Sequence, residues 1–143
     1  MAKKETALMI ADEVVMNKIY YIRGHKVMLD SDLAELYQIE TKQLKRQVKR
    51  NIDRFPEDFM FELTEEEFEI LRRQFGASSW GGTRYFPMVF TEHGVLMLSS
   101  VLNSQKAISV NIQIMRIFAK IRHMLMDNTE LRLEIEKMPA KGK

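Results

Sequence analysis

Apolar positions along the chain change their spacing several times, and each change marks an element. Residues 18–22 and 26–29 are short runs of β-branched, aromatic and long apolar side chains. They join across Arg23-Gly24-His25, which predicts a β-hairpin with Gly24 supplying a positive φ. Over 30–37 the spacing becomes helical: Leu33, Leu36 and Tyr37 share a face, Asp30 or Ser31 can cap the start, and Glu35 follows Asp32 at capping-box distance. Residues 38–41 are long enough only for a turn, with Thr41 placed to cap a second helix. From 42 to 54, Leu44, Val48 and Ile52 recur every four residues and make one apolar stripe, opposite Lys42, Arg46, Lys49 and Arg50.

Phe55-Pro56 ends that helix, because proline disfavours helical backbone in the residue before it. Residues 58–63 read as a strand. Thr64 and Glu67 form a capping box for a helix to Phe75, with Phe68, Leu71 and Phe75 as its apolar line. The stretch 76–83 is a glycine- and serine-rich loop, and 84–90 is a strand in which Pro87 marks an edge or bulge. Thr91 can cap a helix to Leu102 that buries Val95, Leu96, Leu98, Val101 and Leu102, and Asn103-Ser104 breaks it.

Beyond this break, Val110, Ile114, Ile117, Ile121, Met124, Asn128, Leu131, Ile135 and Met138 alternate at spacings of four and three, a heptad seam. Ile112, Met115, Phe118 and Leu125 widen the apolar face in its first half, which can therefore pack on the domain as well as on a partner. In the second half only the seam is apolar, as in a projecting two-stranded coiled coil. Asn128 falls at an a position, where a buried Asn fixes register at a cost in stability. The alternative is a helix break at 127–129 with a separate tail.

A helix, a short turn and a basic helix, followed by strand, helix, loop and strand, predict an α+β fold. It is a winged helix-turn-helix-like domain with small antiparallel β elements and a long C-terminal helix. The loop 76–83 would be the wing. The expected division is a leader at 1–17, the domain at 18–104, a long helix and possible coiled-coil dimerisation segment at 105–138, and a tail at 139–143.

Charge sharpens this picture. Residues 42–54 hold six cations against one carboxylate, a net +5 in a chain whose total is +2. Positive charge is concentrated on one helix. From 55 to 71 there is no Lys or Arg, while Glu57, Asp58, Glu62, Glu65, Glu66, Glu67 and Glu69 supply carboxylates. Either that acidic run turns away from a polyanion, or it neutralises the basic helix inside the fold. The chain has no Cys, which excludes disulfides and thiolate chemistry and fits a reducing, cytoplasmic setting. No uncharged apolar stretch is long enough to span a membrane, and 1–17 has no signal-peptide core.

The residues also carry a family resemblance. Ile22-Arg-Gly-His-Lys-Val-Met-Leu-Asp-Ser-Asp-Leu-Ala-Glu-Leu-Tyr37, Glu40-Thr-Lys-Gln-Leu-Lys-Arg-Gln-Val-Lys-Arg-Asn51 and Arg54-Phe-Pro-Glu-Asp-Phe-Met-Phe-Glu-Leu-Thr64 come first in order. Gly81-Gly-Thr-Arg-Tyr85, Phe90-Thr-Glu-His-Gly-Val-Leu-Met-Leu-Ser-Ser-Val-Leu102 and Val110-Asn-Ile-Gln-Ile-Met-Arg116 come after them. Together they resemble the ORF-six N-terminal domain family of phages and bacteria, related to the KilA-N and Bro-N domains. The resemblance covers about three quarters of the chain. It implies a DNA-binding domain of phage antirepressor-like or regulatory proteins. His93 departs from it, standing where the family phrase has Gln.

The resulting expectation is duplex DNA binding. Lys45, Lys49, Arg50 and Arg54 would neutralise phosphates, while Thr41, Lys42, Gln43 and Arg46 lie near the helix start, where side chains reach base edges. Arg84, beside the glycine loop, is a further candidate contact. A homodimer through Val110, Ile114, Ile117, Ile121, Met124, Asn128, Leu131 and Ile135 would present two such helices. The rival reading is a protein-interaction module, an antirepressor that binds a repressor protein through the same seam. Catalysis is not expected: His25, His93 and His123 lie far apart in the sequence without a metal-ligand pair, no phosphate-binding glycine loop occurs, and no cofactor is implied.

Overall fold

The computed structural model describes residues 10–75 and 86–127. Among them, a short helix α1 (Asp12–Met16) leads into β1 (Ile19–Ile22) and β2 (His25–Leu29), which pair antiparallel with Ile22 opposite His25. The two turn residues, Arg23 and Gly24, both have positive φ, at 55° and 80°. That is the primed turn whose twist suits a two-residue hairpin. Arg23 tolerates its left-handed backbone because its guanidinium is anchored: it donates to both Glu67 carboxylate oxygens at 2.7 and 2.9 Å and lies 4.2 Å above the Phe61 ring.

Helices α2 (Asp30–Tyr37) and α3 (Thr41–Arg50) come next, joined by three residues. Gln38 takes a left-handed backbone at φ 63°, and the Ile39 N–H returns to the Ala34 carbonyl, which closes α2 as a C-terminal cap does. A 3-10 turn (Ile52–Arg54), β3 (Met60–Glu62), α4 (Glu65–Phe75), β4 (Met88–Thr91), α5 (Glu92–Leu102) and α6 (Gln105–Asp127) complete the order. The strands form one antiparallel sheet in the order β1-β2-β4-β3.

Strand periodicity sorts the core into two layers. Val27, Leu29, Phe61 and Val89 point to one face, where Leu63, Phe68 and Leu71 cover them. Met28, Met60, Met88 and Phe90 point to the other, into a larger core with Leu33 and Tyr37 of α2, Leu44 and Val48 of α3, Val95 and Leu98 of α5, and Ile114, Ile117 and Phe118 of α6. A buried polar link pins three helices together there. The Tyr37 hydroxyl donates to Asn111 Oδ1 at 2.5 Å, and Asn111 Nδ2 donates to the Val95 carbonyl at 2.7 Å.

Several local expectations hold. Thr64 and Glu67 exchange both capping-box bonds, at 2.8 and 3.1 Å. Thr91 Oγ1 accepts from the Gly94 N–H, and Ser104 Oγ accepts from the Ala107 N–H, so both cap the helices they precede. Others need correction. Thr41 and Asp30 lie within the first turns of their helices, not ahead of them, and neither helix has a side-chain cap. The basic helix ends at Arg50, where the Asn51 side chain donates to the Gln47 carbonyl, so Ile52 leaves the apolar stripe and is 49% exposed. Leu96 is exposed as well. The expected wing, 76–83, the first nine residues of the leader and everything after 127 lie outside the described residues.

The entry to α5 is the tightest approach. The Phe59 carbonyl accepts from the Thr91 N–H, and a Cβ at position 94 would collide with that same carbonyl. Glycine is required here for space. Gly94→Ala is expected to cost about 3 kcal/mol, as overpacking against unyielding backbone does. Urea denaturation checks it, and a loss below about 1 kcal/mol would refute the contact.

Asp32 generates a second expectation. Its Oδ1 lies 3.6 Å from Lys18 Nζ, while its buried Oδ2 has no hydrogen-bond partner among the described residues. Burial raises its carboxyl above the usual range despite Lys18, and burial together with the Asp32 charge pushes the Tyr20 phenol up to about 12. A carboxyl with a raised pKa binds its proton more tightly in the folded chain, so its ionisation opposes folding at neutral pH and protonation relieves this. Asp32→Asn is therefore expected to gain most on the wild type near pH 7, with the difference shrinking towards pH 4. Unfolding free energies across that range test this, and a pH-independent difference would count against it.

Candidate nucleic-acid interface

Two buried side chains set the orientation of α3. Leu44 and Val48 are fully enclosed, and at 100° per residue this turns Lys42, Gln43, Arg46, Lys49 and Arg50 outward. Of these, Lys42, Gln43, Arg46, Lys49 and Arg50 are all exposed, Thr41 at the helix start is half-buried, and Arg54 is exposed on the 3-10 turn after the helix. None of Lys42, Arg46, Lys49, Arg50 or Arg54 has an ion pair with any described residue. The acidic run does not neutralise this face among the described residues: Glu67 holds Arg23, and Glu69 pairs with Arg72 on its own helix.

Lys45 differs from its neighbours. Its place in the basic run suggests a phosphate contact, but its side chain is only 19% exposed and its Nζ sits 3.5 Å from Asp30 Oδ2. The same Asp30 oxygen accepts from the Met88 N–H at 3.0 Å, and Oδ1 accepts from the Ser31 N–H at 2.6 Å. Burial raises the Asp30 carboxyl, while the Met88 N–H and then Lys45 pull it back towards the ionised form. Lys45 thus holds α3 against α2 and the start of β4.

A cleft of about 700 Å³ opens beside the helix, lined by Lys42, Lys45, Arg46, Lys49 and Arg50 together with Glu62 and Phe86. Glu62 and Phe86 were not among the residues expected at the interface. No local signal in the sequence marks them, because only the sheet order brings the end of β3 and the start of β4 alongside α3. Arg84 lies outside the described residues.

The remaining candidates are placed elsewhere. Val110, Ile114 and Ile117 of the heptad seam are buried in this chain's own core, Ile121 is half-buried against it, and Met124 is 48% exposed. Asn128, Leu131 and Ile135 fall outside the described residues. Glu92 pairs with Arg122 at 2.5 Å, and the His93 ring stacks on Phe59 at 5.4 Å. No helix among the described residues is long and apolar enough to cross a membrane.

Lys45→Met is expected to cost about 3 kcal/mol at pH 7, because it strands the buried Asp30 charge. The loss should shrink on acidification, as Asp30 takes up a proton. Adding Asp30→Asn should recover part of the loss, which a double-mutant cycle of unfolding free energies measures. Simple additivity would mean that the two side chains do not interact.

No curated protein and no solved structure matches the chain. The ORF6N domain model matches residues 17–101, from the approach to β1 through nearly all of α5. The chain therefore belongs to the ORF6N domain family.

Proposed function

We propose that this domain binds double-stranded DNA through the outer face of α3, with α2 and α3 acting as a helix-turn-helix in a phage-type regulatory protein. The observation that carries the reading is the row Lys42, Arg46, Lys49 and Arg50: four cations, without an ion-pair partner among the described residues, on a helix whose other face is locked into the core. Leaving cations of like sign side by side is a cost that a polyanion removes by releasing its own counterions.

In this reading Thr41, Lys42, Gln43 and Arg46 near the start of α3 approach base edges, where Arg suits guanine and Gln suits adenine. Lys49, Arg50 and Arg54 then meet phosphates. Lys45 positions the helix. Self-association is favoured by one observation, the exposure of Met124 on the seam beyond the core. A dimer would offer two α3 faces to half-sites about one helical turn apart.

Anisotropy of a fluorescent random-sequence duplex across a salt series tests both ideas. If each subunit neutralises roughly three phosphates, the log–log slope is expected near about −2.7 for a monomer and twice that for a dimer. Lys42→Glu/Arg46→Glu/Lys49→Glu, shown to be folded by circular dichroism, should abolish binding. Equal binding by this variant would remove α3 from the interface.

A further inference from the structure

The cleft has two chemically different sets of lining groups. On α3 stand cations. Off the helix are Glu62, the last residue of β3, and Phe86, two residues before β4. Glu62 is exposed, and its carboxylate has no ion-pair partner among the described residues although five cations line the same cleft. Phe86 is exposed, at 42%, which is unusual for a large apolar ring. Its position is supported by Phe68, which it meets edge to face at 6.1 Å and 78°. Phe68 is itself buried in the smaller core layer against the sheet.

Neither group suits a phosphate. A carboxylate repels it, and a phenyl ring offers it no hydrogen bond. Both suit base edges in the major groove: a carboxylate accepts from the N4 amino group of cytosine, and an apolar side chain packs on the C5 methyl of thymine. From this contrast of linings we infer that Glu62 and Phe86 are specificity-determining residues that read pyrimidines, cytosine and thymine, at the edge of the site that α3 grips electrostatically. The inference rests on the duplex-binding reading and adds what discriminates one sequence from another. Placed within reach of phosphates, Glu62 also lowers affinity for DNA in general, so specificity is gained partly by weakening the wrong complexes.

The test selects duplexes from a random pool with the full chain and with Glu62→Ala, Phe86→Ala and Lys49→Glu, then measures affinities for the enriched site. Replacing the contacted thymine by uracil, which removes only the methyl, should weaken the wild type about fourfold, the value of one buried methyl-sized group. It should leave Phe86→Ala unchanged. Glu62→Ala should bind random duplex more tightly, yet lose the preference for cytosine at one position. Should Phe86→Ala fail to fold, Phe86→Leu and the thymine-to-uracil change on the wild-type chain still decide the matter. If both variants enrich the wild-type sequence while Lys49→Glu weakens every duplex, DNA binding stands and the base-reading role is overturned. If the wild type shows no salt-sensitive binding to any duplex, both readings fall together.

Discussion

One buried carboxylate holds the candidate site in shape. Asp30 opens α2, receives the backbone N–H of Met88 at the start of β4, and faces Lys45 of α3. Both sides of the basic cleft are therefore tied to a single side chain, α3 through its lysine and the sheet end through its backbone. A buried charge is costly to desolvate, and here three groups aimed at it offset that cost. The packing of Leu44 and Val48 sets which side of α3 faces outward, and the charged contact at Lys45 adds a directional tie from that helix to α2 and, through Asp30, to the start of β4.

That arrangement divides the labour among the cations of one helix. In sequence, Lys45 looks like Lys42 and Lys49, and all three carry the same charge. In space, Lys45 lies on the flank between the buried stripe and the open face, so its ammonium reaches inward while its neighbours point away from the core. A count of basic residues thus overstates the charge available to a partner and understates the rigidity of the helix that presents it.

Much of the fold was legible because it is local. The hairpin around Gly24, the capping box of Thr64 and Glu67, and the caps at Thr91 and Ser104 are fixed by neighbours three or four residues away. The helical stripe of Leu44 and Val48 correctly named the outward face of α3. What was not legible depends on contacts distant in sequence. Asp30 looked like a cap because caps are often Asp and precede helices, yet Met88 and Lys45 recruit it inward. Ile52 continued the apolar period, but the backbone tightens into a 3-10 turn and carries it out of the stripe. Val110, Ile114 and Ile117 have heptad spacing, and the same spacing serves a helix that packs against its own domain. Periodicity shows that a face is apolar, not what covers it.

The long helix α6 carries a different consequence. The family match ends at residue 101, yet Ala107, Val110, Ile114, Ile117 and Phe118 sit in the main core, and Asn111 supplies the polar link between Tyr37 and the α5 backbone. Remove α6, and Tyr37 loses its partner while Leu33, Val95 and Leu98 lose a covering layer. The stretch by which the family is recognised is thus shorter than the cooperative unit that must fold, and a fragment cut at the family boundary would expose the core it was meant to isolate.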